Sequence, residues 1–295
     1  MKNLFVLLVI GALQMNIYPQ TEIFCRFEKG GSLFYGTVDN GRVYQLKNAP
    51  WLSDEKTGNS TEISKIRLVC PSEPTKILGL VKSYKQFWKE KEPPKSVRWF
   101  LKPSTSAASD GDEIVLPSYF NEVKVECELT IIVGKEIKDA DEKEAKSAVF
   151  GYTVGNDVMG FDESFVQKTG DTEEYKDVSL AAGLKVGDRF APYGPFIHKN
   201  INWSDLDFSL TITNDRTGKN VTYKDNTSNL IYSPAKIVSD LSRVLTLKPG
   251  DVIMTGTSKS IVASDGDIVS VEIEGLSKST NKIIVHPAKN SSLIP

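Results

Sequence analysis

Histidine is scarce in this chain. Its 295 residues hold two, His198 and His286, and no G-x-S-x-G elbow. That excludes a His-rich zinc site and leaves a Ser-His-Asp triad hard to place. Cysteine is nearly as rare. The three present form no C-x-x-C pair, which excludes a zinc ribbon, a thioredoxin-type motif and a disulfide-scaffold toxin. Positive charge is not in excess: 36 Lys and Arg stand against 38 Asp and Glu, a formal charge of −2. With no basic surplus to drive counterion release, no nucleic-acid partner is expected. Long hydrophobic runs are also lacking, apart from Leu4–Leu13 behind Lys2. That run is too short to cross a bilayer and has the size of a signal-peptide core. The expectation is a signal over residues 1–20, an exported protein and no membrane span once the signal is removed. A buried N-terminal strand or helix is the alternative. In an oxidising compartment Cys25 and Cys70 become candidates for one disulfide.

What is there is ordinary globular material, 40% hydrophobic, enough for one large domain or two unequal ones. Residues 21–71 read as a small all-β module, with turns at Gly30-Gly31 and Asn40-Gly41 and a polar loop over Ser53–Ser64. Residues 72–288 read as a second, larger domain. Ser83–Glu92 suits a helix stopped by Pro93-Pro94. Asp139 with Glu142 forms a capping-box pattern for a helix over Ala140–Ala148. Ser233-Pro234 caps another, and residues 267–285 look like a hairpin. Many strands and a few helices make the class α+β.

The sharpest local feature is VKVECELTIIVGK, residues 123–135. Period-two alternation puts Val123, Val125, Cys127, Leu129, Ile131 and Val133 on one face of a single strand. Glu126 and Glu128 share the other face, about 6.5 Å apart by strand rise. Two carboxylates so placed repel unless water or a cation screens them, and a solvated outer face is the plain alternative. Asp157 follows on the apolar stretch YTVGNDV, where an unpaired carboxylate is costly to bury. Three acids without Cys or His suit a hard cation, Mg²⁺, Mn²⁺ or Ca²⁺, rather than zinc.

Six stretches stand in an order that is recognisable: FLKPSTS (100–106), VECELTIIVGK (125–135), GYTVGNDV (151–158), KVGDRFAPYGPFI (185–197), NTSNLIY (226–232) and LTLKPGDVIMTGT (245–257). From about Ile66 to Val285 the chain resembles the fumarylacetoacetate hydrolase family, and the module before it is similar to the N-terminal domain that many members carry. The resemblance implies a mixed β-roll with flanking helices, assembled as a homodimer, with its site at the mouth of the roll. It implies that Glu126, Glu128 and Asp157 hold Mg²⁺ or a similar ion. It places Lys185 against the oxygens of a small oxo acid and Thr257 near its carboxylate. Lys102, in the FLKP motif, contacts substrate or supports structure. Such a site stabilises the enolate left by C–C cleavage, decarboxylation or keto–enol isomerisation.

The chain also departs from the family. Hydrolytic members carry G-x-N-Y-x-x-H-x-x-E where this chain reads VKSYKQFWKE, residues 81–90. Tyr84 and Glu90 fit, Tyr84 as a candidate substrate-binding residue, but Ser83 replaces the Asn and Phe87 the water-activating His. Phe161 and Ser164 stand for the Arg and Gln that help hold substrate, and Ser258 for a Pro. Glu90 is left as the candidate base, and the segment around Phe87 and Trp88 as a candidate lid. Loss of the His shifts weight toward reactions that need no activated water. An exported, non-catalytic metal-binding protein is the alternative reading.

Overall fold

The computed structural model describes residues 21–89, 91–117, 120–161, 166–169, 172–175 and 184–285. The signal segment, Glu90, Ser164 and His286 lie outside these residues. The frame is an eleven-stranded mixed sheet. Its order is Lys56–Glu62, Arg42–Leu46, Ser32–Asp39, Glu22–Lys29, Phe196–Lys199, Val149–Asn156, Cys127–Val133, Val252–Met254, Ile77–Leu80, Trp99–Lys102. Arg67–Val69 also pairs with Glu22–Lys29. The N-terminal module is therefore continuous with the rest: Glu22–Lys29 joins Phe196–Lys199 in antiparallel register. A second, five-stranded sheet runs Lys219–Asn226, Asp207–Asn214, Ile268–Ile273, Ser277–Val285, Glu113–Leu116. Mostly strand, with two short helices among the described residues, the architecture is the expected α+β roll.

The main core lies between the two sheets. Leu129, Ile131 and Val154 from one meet Leu210, Ile212, Val269 and Val271 from the other. The helices Glu142–Ala148 and Pro234–Val244 add Ala145, Ala148, Ile237 and Leu241. Phe24, Ile132, Phe150, Ile197 and Met254 form a separate apolar cluster. Because both faces are covered, every residue of Cys127–Val133 is buried.

Several sequence expectations are corrected. The acidic strand is two strands. Glu122–Val125 belongs to a small sheet with Met159–Phe161 and Ile261–Ser264, and the chain enters the large sheet only at Cys127. Glu126 is the residue at the switch, and Glu128 is fully buried rather than on a solvated face. The Ser53–Ser64 loop is largely an edge strand, because Lys56–Glu62 finds a pairing partner in Arg42–Leu46. Among the described residues of 83–92, the expected helix is a 3₁₀ turn, Lys85–Trp88. The first helix is capped by Asp141 with Glu144, not by Asp139, which has positive φ. Cys25 and Cys70 are free thiols. Cys25 packs with Phe27 and Val43, whereas Cys70 packs in the cluster of Phe24 and Ile132, so the two enter different cores.

Candidate metal centre

Register brings four chain segments to one end of the large sheet. Cys127 pairs with Asn156, so Glu126 and Asp157 are the next residues out on neighbouring strands. The Asp157 N–H donates to the Glu126 carbonyl at 3.1 Å, and the Glu126 N–H donates to Asn156 Oδ1 at 3.1 Å. On the other flank, Ile77–Leu80 and Val252–Met254 run parallel and leave the sheet side by side. The Gly256 N–H then donates to Glu128 Oε2 at 2.6 Å. One carboxylate oxygen each from Glu126, Glu128 and Asp157 lie within 4.8 Å of one another.

Two lysines hold this charge. Lys102 has no exposed surface, and its ammonium donates to the carbonyls of Val158 (2.8 Å), Lys185 (2.8 Å) and Phe190 (2.9 Å). It also stands 2.7 Å from Asp157 Oδ1. Its three protons are already spent on carbonyls, so this contact is charge against charge and leaves Oδ1 without a hydrogen bond. Lys185 donates to Asp157 Oδ2 at 2.5 Å and to Glu126 Oε2 at 3.2 Å, with its ammonium 4.9 Å over the Phe100 ring.

Burial and charge divide the acids. For Asp157 burial works upward, but Lys102 and Lys185 outweigh it and hold the carboxyl below its ordinary range. For Glu128 burial, with Asp157 and Glu126 adding to it, pushes the carboxyl well up. Glu126 is pushed up to about 7 by burial against the pull of Lys185. Burial lowers Lys102 to about 8, although Asp157 opposes it. On Lys185 burial acts downward and is overcome by Asp157 and Glu126, which raise it.

The residues present fit a hard divalent ion. The donors are three carboxylates, and Glu128 Oε1 and Asp157 Oδ1 are buried oxygens with no hydrogen-bond partner. A cavity of about 590 Å³ opens beside them, walled by Glu126, Lys185, Thr257, Phe87, Phe100 and Met159 among others. A cavity of about 580 Å³ on the five-stranded sheet, between Asp207 and Glu274, contains none of the orphaned atoms.

The sequence-named residues thus fall in different places. Glu126, Lys185 and Thr257 reach the cavity wall. Lys102 lies beneath it as a support for Asp157 and three carbonyls, and does not face a ligand. Tyr84 is fully buried, edge-on to Phe208 at 6.1 Å, with an unpartnered hydroxyl. Phe87, at the position of the family's His, stands 41% exposed on the rim. The adjacent Trp88 indole donates to the Lys82 carbonyl at 2.7 Å, tying down the segment read as a lid.

Sequence reasoning missed Asn156 and Gly256, which hold the acids through backbone and side-chain hydrogen bonds. Both sit inside motifs already noticed, GYTVGNDV and TGT, but hydrogen bonding across strands leaves no spacing to read. Gly256 has φ +87°, and a Cβ there would overlap Ser83 Oγ. Gly256→Ala is expected to cost about 1–3 kcal/mol in urea unfolding and to weaken ion binding with it. Unchanged stability would show that the loop relaxes freely.

Comparison with known proteins follows the same division of the chain. Residues 76–284 match the fumarylacetoacetate (FAA) hydrolase C-terminal family and residues 24–71 the Rv2993c-like N-terminal family. Protein Rv2993c of Mycobacterium tuberculosis is 31% identical over 246 residues, covering 81% of this chain and 87% of that protein. A 2,4-didehydro-3-deoxy-L-rhamnonate hydrolase of Sphingomonas is 29% identical, covering 86% and 93%. The crystal structure of a 2-hydroxyhepta-2,4-diene-1,7-dioate isomerase from Mycobacterium marinum superposes with a TM-score of 0.75 at 27% identity, over 90% of this chain and 99% of that one. A family match across more than two thirds of the sequence, the shared roll and a relative this similar over most of its length settle the ancestry: the chain belongs to the fumarylacetoacetate hydrolase family.

Proposed function

We propose that this protein is a divalent-cation-dependent enzyme acting on a 2-oxo acid or diketo acid through its enolate. The observation that carries the reading is the acid triad beside a cavity, in which the buried Glu128 Oε1 has no hydrogen-bond partner and Asp157 Oδ1 has only the Lys102 ammonium against it. Bound by Glu126, Glu128 and Asp157, such an ion, Mg²⁺ in the first place, supplies Lewis-acid polarisation of the substrate's two oxygens. Lys185 contributes a fixed positive charge where an oxyanion develops, and it is anchored there by Asp157 and Glu126. Thr257 presents a hydroxyl in the wall to a substrate carboxylate. Phe87 carries no proton to relay, so decarboxylation and keto–enol isomerisation are favoured over hydrolysis. The names of relatives cover this range, a hydrolase on one side and an isomerase on the other.

The test begins with calorimetric titration of Mg²⁺ and Mn²⁺ into chelator-treated protein. Oxaloacetate and acylpyruvates are then screened, with Glu126→Ala as control. Ion uptake with turnover that Glu126→Ala abolishes is the expected result. Turnover unaffected by Glu126→Ala overturns the proposal. Ion uptake without turnover favours the non-catalytic binding protein that the loss of the His also suits. In Phe87→His, hydrolysis of an acylpyruvate is expected to appear, and its dependence on Glu90 is read in the added Glu90→Gln. The proposal includes export on the Leu4–Leu13 run and homodimeric assembly, which cell fractionation and sedimentation equilibrium read directly.

A further inference from the structure

With phenylalanine at position 87, enolate chemistry in the cavity needs another group to take and return a proton. Ser258 stands in the wall beside Lys185 and Thr257, 3% exposed, at the position of the family's Pro, which has no hydroxyl. Its Oγ lies 2.9 Å from the Tyr223 hydroxyl, and that hydroxyl donates to Asp225 Oδ2 at 3.2 Å. Asp225 in turn belongs to the wall of the cavity of about 580 Å³ on the five-stranded sheet. Three side-chain oxygens thus lead from one cavity to the other.

The placement follows from strand alternation. Tyr223 and Asp225 are two residues apart on Lys219–Asn226 and so project from the same face. The Lys259 ammonium, 5.3 Å over the Tyr223 ring, helps to keep that ring in place. Asp225 Oδ1 accepts from the Asn226 N–H at 2.8 Å and from Asn229 Nδ2 at 2.6 Å, which leaves Oδ2 to Tyr223. Burial acts upward on Asp225, but Ser258, the Asn226 N–H, Asn229 and Tyr223 outweigh it and hold the carboxyl below its ordinary value. Asp225 is therefore ionised at neutral pH and can only accept. A phenol has one proton, and Tyr223 spends it on Asp225, so between the two hydroxyls Ser258 is the donor. The chain has one direction. What the serine offers a ligand in the cavity is a lone pair, not a proton.

We propose that Ser258, Tyr223 and Asp225 form a proton relay that serves the enolisation of a bound 2-oxo acid in place of the absent histidine. The inference rests on the function proposed above, which supplies the enolate. The carbon–hydrogen bond beside the ketone breaks, and its electron pair becomes that of the enolate. Ser258 Oγ takes the proton while giving its own to the Tyr223 oxygen, and Tyr223 gives its own to the Asp225 carboxylate. The reverse passage returns a proton to carbon, so nothing is consumed. Tyr223 and Asp225 act through Ser258 and touch no substrate.

The experiment follows deuterium entering C3 of 2-oxobutanoate in D₂O by proton NMR, with the Mg²⁺-loaded protein. Calorimetry gives the affinity for the same acid. The variants are Ser258→Ala, Ser258→Thr and Tyr223→Phe, the last keeping the ring and removing only its hydroxyl. Thermal melting verifies that each folds. Exchange is expected to fall about 100-fold in Ser258→Ala and at least about tenfold in Tyr223→Phe, with affinity unchanged, and to persist in Ser258→Thr. Exchange at the wild-type rate in Ser258→Ala or Tyr223→Phe overturns the relay and leaves the proposed function standing. So does its loss in a folded Ser258→Thr, a loss that merely follows weaker binding, or a wild type that binds the acid without exchange. Binding of neither Mg²⁺ nor the acid overturns both.

Discussion

Replacing Lys102 by methionine is expected to cost the fold about 3–5 kcal/mol, the largest stability loss of any single substitution at the site. Methionine fills a similar volume but brings no donor. The carbonyls of Val158 and Lys185 lose the Lys102 donor and that of Phe190 keeps only the Val158 N–H, around a lysine that itself has no exposed surface. Asp157 keeps only Lys185, so a buried carboxylate is left half-compensated. The measurement is urea unfolding in chelator: a lower midpoint with an unchanged slope. Lys185→Met gives the contrast. Lys185 is 19% exposed at the side chain and Asp157 still keeps Lys102, so the loss is expected to be about 1–2 kcal/mol. If the two variants lost the same amount, Lys102 would not be the support that its hydrogen bonds indicate.

The family was legible because its motifs fall in order along the chain, and each is a run of side chains whose identity matters. The acids and Lys185 stood in those runs. What was not legible is how they are held. Period-two alternation over 123–135 reads as one strand, because a change of sheet at Glu126 leaves the alternation intact. Burial of Glu128 depends on segments far away in sequence that close around the end of its strand, the Gly256 N–H and Asp157 among them. Asp139 and Asp141 are equally good caps on composition. Only the Glu144 side chain reaching back to the Asp141 N–H decides between them. The polar Lys56–Glu62 strand carries no apolar pattern at all, since it is an edge and its pairing with Arg42–Leu46 is backbone chemistry. Lys102 stood open between substrate contact and support for the same reason: three carbonyl acceptors, two of them more than 80 residues away, have no signature in FLKP.

Glu128→Gln is expected to move stability and ion binding in opposite directions. Glu128 is fully buried, and its Oε1 has no donor while Oε2 takes the Gly256 N–H. A glutamine keeps an acceptor for Gly256 and places an amide donor near the other two carboxylates. In chelator at neutral pH the variant is therefore expected to be more stable, by about 1–3 kcal/mol. The sign with pH follows from the raised carboxyl. As pH climbs past the ordinary range, roughly 4.3, the unfolded chain releases this proton while the folded chain keeps it. Wild type loses stability over that climb, and glutamine, with no proton to release, does not. The gain should be present at pH 8 and absent at pH 4. Ion binding runs the other way. Losing a partner that merely orients a ligand costs about 10–100-fold in affinity, so losing the charge of a ligand should cost at least about 100-fold. Added Mg²⁺ then raises the melting temperature of wild type, by mass action on the folded state, and leaves the variant where it was. A variant less stable than wild type in chelator would mean that Glu128 is there for the fold. The expected reversal would mean that the protein keeps a destabilising buried acid because the ion needs it.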